Sequence, residues 1–127
     1  MKSVITMEFI NYKKCSTCIK AKKHLQSMHI NFINRDILNG ITKEELEKWI
    51  PLSNKNIDKF FNTSGLIYKN ENYKEKLKTM SFDEKIDALV KNPMLIKRPI
   101  LVHDNIVLVG YKEIEYNEVG DLDGYQE

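Results

Sequence analysis

Cys15 and Cys18 are the only cysteines of this 127-residue chain, and they form a C-x-x-C motif at the predicted junction between a strand and a helix. The free N–H groups and the macrodipole at a helix N-terminus favour a thiolate over a thiol. Lys13 and Lys14 directly precede Cys15 and add positive potential. We therefore expect Cys15 to have a lowered pKa and to act as a nucleophile.

Cys18 is predicted to be the second thiol of a redox pair. Residues three apart in the first turn of a helix lie close enough for a disulfide. Cys18 shares a helix face with Ala21, Leu25 and Met28, so we expect it to be the more buried of the two cysteines. A buried thiol suits a resolving role, in which it attacks a mixed disulfide formed at Cys15.

Two other interpretations of the cysteines remain open. Cys18 can be a small apolar residue of the core, as isolated buried cysteines often are. The pair can also bind zinc, but a structural zinc site needs four ligands, and the chain offers one C-x-x-C motif with three scattered histidines. These histidines are His24, His29 and His103. We expect no metal site and give the histidines no catalytic role.

The elements on either side of the motif are predicted to form a βαβ unit. A strand is predicted for Thr6–Tyr12, and a helix begins at Ser16, where the apolar residues become spaced three or four apart. Asn31–Leu38 has strand character again. A strand, a helix and a strand in so short a span form parallel strands with a right-handed crossover.

The middle of the chain is predicted to be helical over about residues 42–92. Thr42 with Glu45 and Ser81 with Glu84 match the capping box that begins a helix. We expect the first of these helices to end at Pro51, because proline interrupts a helix. Two further short helices are predicted around residues 57–61 and 73–80.

The last third is predicted to be a β-hairpin followed by a helix. Ile100–Val102 and Ile106–Val109 are strand-like and flank the turn residues His103–Asn105. Tyr111–Val119 is predicted to be the final helix. Gly120–Glu127 has two glycines and little apolar surface, so a frayed tail is expected there.

The composition restricts the class of protein. Hydrophobic residues make up 42% and charged residues 30% of the chain, as in a globular domain. The 20 Lys and Arg exceed the 18 Asp and Glu by two, and no long cationic run offers a track for nucleic acid. We see no apolar stretch that reads as a secretory signal, and none reaches the roughly 18 residues of a membrane span. We expect one cytoplasmic domain over residues 1–127.

Four segments, in this order and spacing, resemble the ArsC-like family over about residues 7–116. They are Cys15–Cys18, Phe60–Gly65, Met94–Pro99 and Val109–Glu113. This family includes glutaredoxin-coupled arsenate reductases and the Spx and MgsR transcriptional regulators. The phenylalanine-rich segment and the Lys-Arg-Pro run resemble above all its glutaredoxin-like branch, whose members are uncharacterised. The resemblance implies a thioredoxin-like α/β fold, with a mixed four-stranded sheet and an inserted helical lobe.

The resemblance also implies the site residues. Cys15 is then the reactive thiol, and Ser16, Thr17, Arg98 and Pro99 belong to its substrate pocket. From the sequence alone, Arg98 and Pro99 are an ordinary strand start with a solvated charge. They acquire a role beside the C-x-x-C motif because thioredoxin-fold oxidoreductases place a cis-proline against the reactive cysteine. We therefore expect the Arg98–Pro99 peptide bond to be cis.

The chain departs from the arsenate reductases of this family in two respects. Those enzymes use one catalytic cysteine followed by a Thr-Ser-Arg run, where this chain has Ser16-Thr17-Cys18. They also bind the oxyanion with three arginines, of which only Arg98 has a counterpart here. The other two positions fall within Asn62–Ser64 and at Gly110. Because charge-assisted hydrogen bonds are worth about 1.5–3 kcal/mol each, we expect inefficient arsenate reduction.

Three functions follow from these residues and the resemblance. The first is a thiol-disulfide oxidoreductase with Cys15 as nucleophile and Cys18 as resolving thiol. The second is a glutaredoxin-coupled arsenate reductase. The third is a Spx-like redox regulator that binds the α-subunit of RNA polymerase. For the oxidoreductase we expect a monomer with no bound cofactor. Its co-substrate is expected to be glutathione or another small thiol, or a reductant of the thioredoxin or glutaredoxin type.

Overall fold

The computed structural model describes residues 7–123, and within them four strands form one sheet. The strands are β1 (Met7–Asn11), β2 (Ile33–Asp36), β3 (Ile100–His103) and β4 (Ile106–Val109). In the order β2-β1-β3-β4, β1 is parallel to β2 and antiparallel to β3, and β3 and β4 form the predicted hairpin. The mixed four-stranded sheet that the family resemblance implies is confirmed. The predicted start of the first strand, Thr6, lies outside the described residues.

Helices connect and cover these strands. The α-helices are α1 (Ser16–Ser27), α2 (Lys43–Ser53), α3 (Leu66–Asn70), α4 (Tyr73–Lys76), α5 (Phe82–Lys91) and α6 (Glu113–Asp123). Short 3-10 turns cover Ile37–Asn39, Ile57–Phe60 and Pro93–Leu95. Both predicted capping boxes are present, at the starts of α2 and α5. None of the helices in this part of the chain is long and apolar enough to cross a membrane.

Side chains of the strands alternate between two hydrophobic clusters, one on each face of the sheet. Phe9 and Leu101 pack with α1 and α6, whereas Ile10 and Ile100 pack with the helices that lie between β2 and β3. Successive residues of a strand point to opposite faces, so a sheet covered on both faces needs apolar residues at consecutive positions. This explains why the central strands have buried apolar residues at consecutive positions, which are 9–10 in β1 and 100–102 in β3.

Helix α2 continues past its predicted end. The sequence predicts that the helix ends at Pro51, but the structure extends it to Ser53 and ends it at Asn54, whose φ is +59°. Ile50 and Ser53 are buried on either side of the proline. Packing therefore keeps the last turn helical although proline supplies no N–H group. Helix α3 was not predicted, because its five residues are too few to show a helical period.

Helix α6 extends into the segment predicted to be a frayed tail. It runs from Glu113 through Gly120 to Asp123, so the prediction of a tail from Gly120 is wrong for these four residues. Val119 is buried, and a Cβ atom at Gly120 would lie 2.5 Å from Sδ of Met28. This close approach to the end of α1 orders a segment whose composition alone indicates a loop. The last four residues of the predicted tail lie outside the described residues.

Strand β2, shorter than the predicted Asn31–Leu38, forms one edge of the sheet. Arg35 in β2 donates to Glu8 at 2.9 Å and to both carboxylate oxygens of Glu45 at 2.7 and 3.1 Å. Its guanidinium also lies over the ring of Trp49. The hydrogen bonds between Arg35 and Glu45 raise the pKa of Arg35 and lower the pKa of Glu45. These contacts connect the edge strand to β1 and to α2.

We predict that Leu25→Ala destabilises the protein by about 2–5 kcal/mol, because Leu25 is fully buried between α1 and the sheet and its truncation leaves a cavity. Urea denaturation of the reduced protein measures the change. Gln26→Ala, at the exposed neighbouring position of the same helix, is the matched control and should change the free energy of unfolding by less than about 0.5 kcal/mol. Equal effects would contradict the packing described for α1.

Candidate functional site

Cys15 is the N-cap residue of α1 and lies at the carboxyl end of β1. The backbone N–H of Cys18 donates to Sγ of Cys15 at 3.3 Å, and the N–H of Cys15 donates to the carbonyl of Tyr12 at 3.0 Å. The Cys15 side chain is half-buried, so solvent and small molecules reach its sulfur. The structure thus places Cys15 at the helix terminus, where the sequence predicts it.

Cys18 lies behind Cys15 and is 1% exposed. Burial raises the pKa of its thiol to about 12, and hydrogen bonding to Cys15 and repulsion by it act in the same direction. A backbone N–H bond from Tyr12 and the positive charge of Arg98 oppose this rise. Both cysteines are free thiols. The two sulfurs therefore differ: one is accessible, and the other is shielded and protonated at neutral pH.

An open cleft of about 730 Å³ exposes Cys15, and we call it the thiol cleft. Four separate parts of the sequence line it. They are Tyr12 and Lys14–Thr17; Asn62 and Ser64–Ile67; Met94, Lys97 and Arg98; and Gly110 and Tyr111. Within residues 7–123, no group of three or more His, Cys, Asp or Glu side chains is arranged to hold a metal ion.

A short antiparallel contact brings two of these parts together. Phe61 forms an isolated β-bridge with Ile96, and the N–H of Lys97 donates to the carbonyl of Phe60 at 2.8 Å. Phe60, Phe61 and Ile96 are buried in the cluster under the helices. The loop that follows Phe61 is therefore held beside the segment that leads into β3, and both reach the thiol cleft.

Arg98 is half-buried and lines the thiol cleft. Its Nη1 donates to the carbonyls of Met94 at 2.9 Å and Ile96 at 3.1 Å. The guanidinium carbon lies 5.4 Å from the centre of the Tyr12 ring. The Arg98–Pro99 peptide bond is cis, as expected. Arg98 is thus a positioned charge in the cleft and not the solvated strand start that the sequence alone favours.

The remaining predicted pocket residues divide into two groups. Ser16 and Thr17 are exposed on the first turn of α1 and line the thiol cleft. Pro99 is buried behind the wall of the cleft, and its carbonyl accepts the N–H of Gly110 at 2.8 Å. Gly110 has a φ of +81°, and a Cβ there would lie 3.1 Å from Cε of Lys97. Pro99 therefore supports the wall, whereas the family resemblance implies that it lines the substrate pocket.

Tyr12 and Tyr111 are two cleft residues that no sequence motif marks as functional. The hydroxyl of Tyr111 forms a hydrogen bond with Nδ1 of His24 at 2.6 Å, and Nε2 of His24 forms one with Asn117 at 2.7 Å. This chain of contacts connects the cleft wall to α1 and α6. The only sequence signal for Tyr111 was its place next to Gly110 in one of the segments that carry the family resemblance.

The thiol cleft contains one guanidinium among the described residues that line it, that of Arg98. Asn62, Ser64 and Gly110 also line it, so the positions assigned to the two missing arginines do lie in its wall. The other cationic side chains in the lining are those of Lys14 and Lys97. The cleft is therefore cationic, but it lacks the planar, bidentate donors that two more arginines would supply.

Comparisons with known proteins agree with this geometry. The model of the ArsC family matches residues 10–119. The protein YusI of Bacillus subtilis (strain 168) is 42% identical over 116 residues, which are 90% of this chain and 98% of YusI. The regulatory protein MgsR of the same organism is 31% identical over 106 residues, 83% of this chain and 82% of MgsR. The crystal structure of an ArsC family related protein from Bacteroides fragilis superimposes with a TM-score of 0.88 and 44% identity, covering 92% of this chain and 99% of that one.

We predict that iodoacetamide at neutral pH alkylates Cys15 much faster than Cys18, because Cys18 is shielded and burial raises the pKa of its thiol to about 12. Between pH 7 and 9 the labelling of Cys18 should keep rising without a plateau. Peptide mass spectrometry of the reduced protein measures both rates. Cys18→Ser should react like the wild type, and Cys15→Ser should react slowly. Equal rates for the two thiols would contradict the site described here.

Proposed function

The chain belongs to the ArsC family, and we propose that it is a cytoplasmic, monomeric thiol-disulfide oxidoreductase. The observation that carries the proposal is the pairing of an accessible Cys15 thiol at a helix N-cap with a buried Cys18 thiol behind it. This arrangement separates an attacking sulfur from a resolving sulfur within one turn of helix. The cationic thiol cleft in front of them supplies a place for an anionic substrate.

The reaction has two exchange steps. The Cys15 thiolate attacks a substrate disulfide, the S–S bond breaks, one substrate thiolate leaves, and a mixed disulfide forms at Cys15. Cys18 then loses its proton and attacks Sγ of Cys15, which releases the second substrate thiolate and leaves a Cys15–Cys18 disulfide. Two electrons pass from the protein to the substrate. A small thiol such as glutathione, or a thioredoxin- or glutaredoxin-type dithiol, returns the protein to its reduced state.

The surroundings of Cys18 support its later role. Burial keeps its thiol protonated while Cys15 reacts, which prevents competition between the two sulfurs. The N–H of Tyr12, 3.5 Å from Sγ of Cys18, and the charge of Arg98 both stabilise the thiolate that must form in the second step. Once Cys15 is part of a mixed disulfide, its sulfur no longer carries the negative charge that repels a thiolate at Cys18. The second step is therefore favoured after the first.

Arg98 is also placed to bind the substrate. Two backbone carbonyls and the Tyr12 ring hold its guanidinium at the cleft, and its hydrogen bonds within the described chain use only Nη1. The remaining N–H groups of the guanidinium can donate hydrogen bonds to a carboxylate, such as one of the carboxylates of glutathione. Ser16 and Thr17 lie on the first turn of α1 and offer hydroxyl groups beside Cys15.

We predict that the protein reduces hydroxyethyl disulfide when a thiol donor is supplied, and that Cys15→Ser abolishes this turnover. Cys18→Ser should stop at the mixed disulfide when no donor is present, because the resolving sulfur is missing. It should then release one equivalent of thiol, and intact-mass spectrometry should show the adduct on Cys15. If Cys15→Ser retained the wild-type rate, the proposed function would be wrong.

We also predict that mild oxidation of the wild-type protein with diamide closes a Cys15–Cys18 disulfide, because the two side chains lie one turn apart. Intact-mass spectrometry should show a loss of two hydrogens without dimer. Cys18→Ser is the matched control and should show no such loss. A wild-type product that consists mainly of disulfide-linked dimers would remove the resolving role of Cys18.

Redox regulation of transcription is a second candidate, favoured by the similarity to the regulatory protein MgsR. In this case the Cys15–Cys18 pair acts as a switch, and the partner is the α-subunit of RNA polymerase. A stable complex with the purified C-terminal domain of that subunit, which differs between the reduced and oxidised protein, would support this candidate. Turnover of a disulfide without such a complex supports the oxidoreductase.

Arsenate reduction in the same cleft remains the other candidate within the family. Arg98 is the only arginine among the described lining residues, and Asn62, Ser64 and Gly110 carry no charge. We expect arsenite production with glutathione and glutaredoxin to be slow relative to the reduction of disulfides. The relative rates of the two reactions, measured with the same donor, separate these candidates.

A further inference from the structure

A second cleft, of about 550 Å³, lies next to the thiol cleft. Its lining is rich in lysine, and we call it the lysine cleft. The lining comprises Lys55, Asp58, Lys59, Phe61, Thr63, Tyr68, Lys74, Leu77, Lys78, Lys97, Val109 and Lys112. Lys97 lines both clefts, so the two are adjacent at this residue. The proposed function makes no use of the lysine cleft.

Positive charge is concentrated in the lysine cleft. Six lysines and one aspartate give its lining a net charge of 6 − 1 = +5, whereas the whole chain has a net charge of +2. The rest of the chain therefore has a net charge of 2 − 5 = −3. Like charges that line a cleft repel one another. They also focus the electrostatic potential in the cleft, which attracts a ligand of opposite charge. The distribution indicates a binding site for an anion.

Few carboxylates of the described chain neutralise these lysines. Asp58 is paired with Lys85, which lies outside the lining, at 2.8 Å, and Lys78 is paired with Glu75 at 3.1 Å. Among residues 7–123, the other lysines of the lining have no carboxylate within 4 Å. These are Lys55, Lys59, Lys74, Lys97 and Lys112. Five ammonium groups in one cleft are thus available to a ligand.

The wall of the lysine cleft also has an aromatic and apolar part. Tyr68 is half-buried and stacks on Tyr73, with ring centres 6.2 Å apart and an angle of 24° between the planes. Phe61, Leu77 and Val109 are buried and contribute apolar surface. A cleft of this volume suits a small molecule. Lysines bind phosphate as point charges, and an aromatic ring offers a surface to a planar group. Together they suit a nucleotide.

Lys97 lies at the boundary between the two clefts. Its backbone is fixed by the hydrogen bond to Phe60, and its aliphatic chain passes over Gly110, where a Cβ would be 3.1 Å from Cε. No larger residue fits at position 110 without displacing this side chain. A ligand whose phosphates contact Lys97 from the lysine cleft is therefore adjacent to the thiol cleft, which Lys97 lines together with Cys15.

We propose that the lysine cleft binds the phosphate groups of a nucleotide-bearing disulfide whose sulfur atoms reach Cys15. The binding rests on the cleft alone, whereas the redox step rests on the proposed function. In that step Cys15 attacks the disulfide, the first nucleotide-bearing thiolate leaves, and Cys18 releases the second as the Cys15–Cys18 disulfide forms. The thiol donor named above then restores the protein. The phosphates and the planar base determine which disulfide is bound.

Binding is tested with adenosine 3′,5′-bisphosphate, a nucleotide probe that carries no sulfur. Calorimetry on the full reduced chain should show binding that weakens as salt is raised, because salt screens exposed charges. Lys59→Gln combined with Lys74→Gln should weaken binding about tenfold. Lys23→Gln combined with Lys43→Gln is the matched control, since it removes the same charge at exposed positions outside both clefts, and it should leave binding unchanged.

The redox step is tested with coenzyme A disulfide and with hydroxyethyl disulfide, which carries no phosphate. The Lys59 and Lys74 double variant should raise KM for coenzyme A disulfide about tenfold and leave kcat unchanged. Its turnover of hydroxyethyl disulfide should match that of the Lys23 and Lys43 control. Bisphosphate binding without turnover of either disulfide would retain the lysine cleft as a site and overturn the redox proposal.

Three results would overturn the inference about the lysine cleft while turnover of hydroxyethyl disulfide still supports the proposed function. The first is the absence of bisphosphate binding at low salt. The second is that both double variants weaken bisphosphate binding equally, which would show that binding depends on the net charge of the protein and not on the lysine cleft. The third is binding of a glutamate-rich peptide but not of the bisphosphate, which would assign the lysine cleft to an acidic protein partner.

Discussion

The packing of α1 against the sheet is the contact on which the site depends. Cys18, Ala21 and Leu25 form the buried face of this helix, and they fix the position of its N-terminus at the end of β1. Three residues before Cys18, the chain turns into the helix, and the sulfur of Cys15 accepts a hydrogen bond from the N–H of Cys18. The same face that holds the helix in place therefore determines that one thiol is buried and the other is accessible. The chemistry proposed for the pair follows from this difference.

The sequence indicates the local elements well and the composition of the cleft only in part. The C-x-x-C motif, the βαβ unit, the two capping boxes and the hairpin each depend on residues close together in the chain, so their patterns are visible. The extension of α2 past Pro51 and of α6 past Gly120 depends on tertiary packing, which no local pattern contains. Tyr12 contacts Arg98 and Tyr111 contacts His24, and in each pair the two residues are distant in sequence. No local pattern could therefore place these tyrosines in the cleft.

The family contains both catalysts and regulators, and the geometry of the two thiols serves either. A pair with one exposed and one buried sulfur accepts a substrate in one case and senses an oxidant in the other. What distinguishes them is the surface around the pair. The thiol cleft and the lysine cleft are both concave and share Lys97 in their linings, and a concave surface suits a ligand that is held while its sulfur reacts.

The exposed edge at β2 has a consequence for self-association. A free sheet edge is a template on which another chain can add a strand, and long apolar edges promote aggregation. β2 is only four residues long, and it presents Asn34 and Arg35 beside the exposed Ile33. Glu8 and Glu45 hold the charged side chain of Arg35 in place at this edge strand. The shortness of β2 and the charged residue held on it thus oppose intermolecular β-pairing.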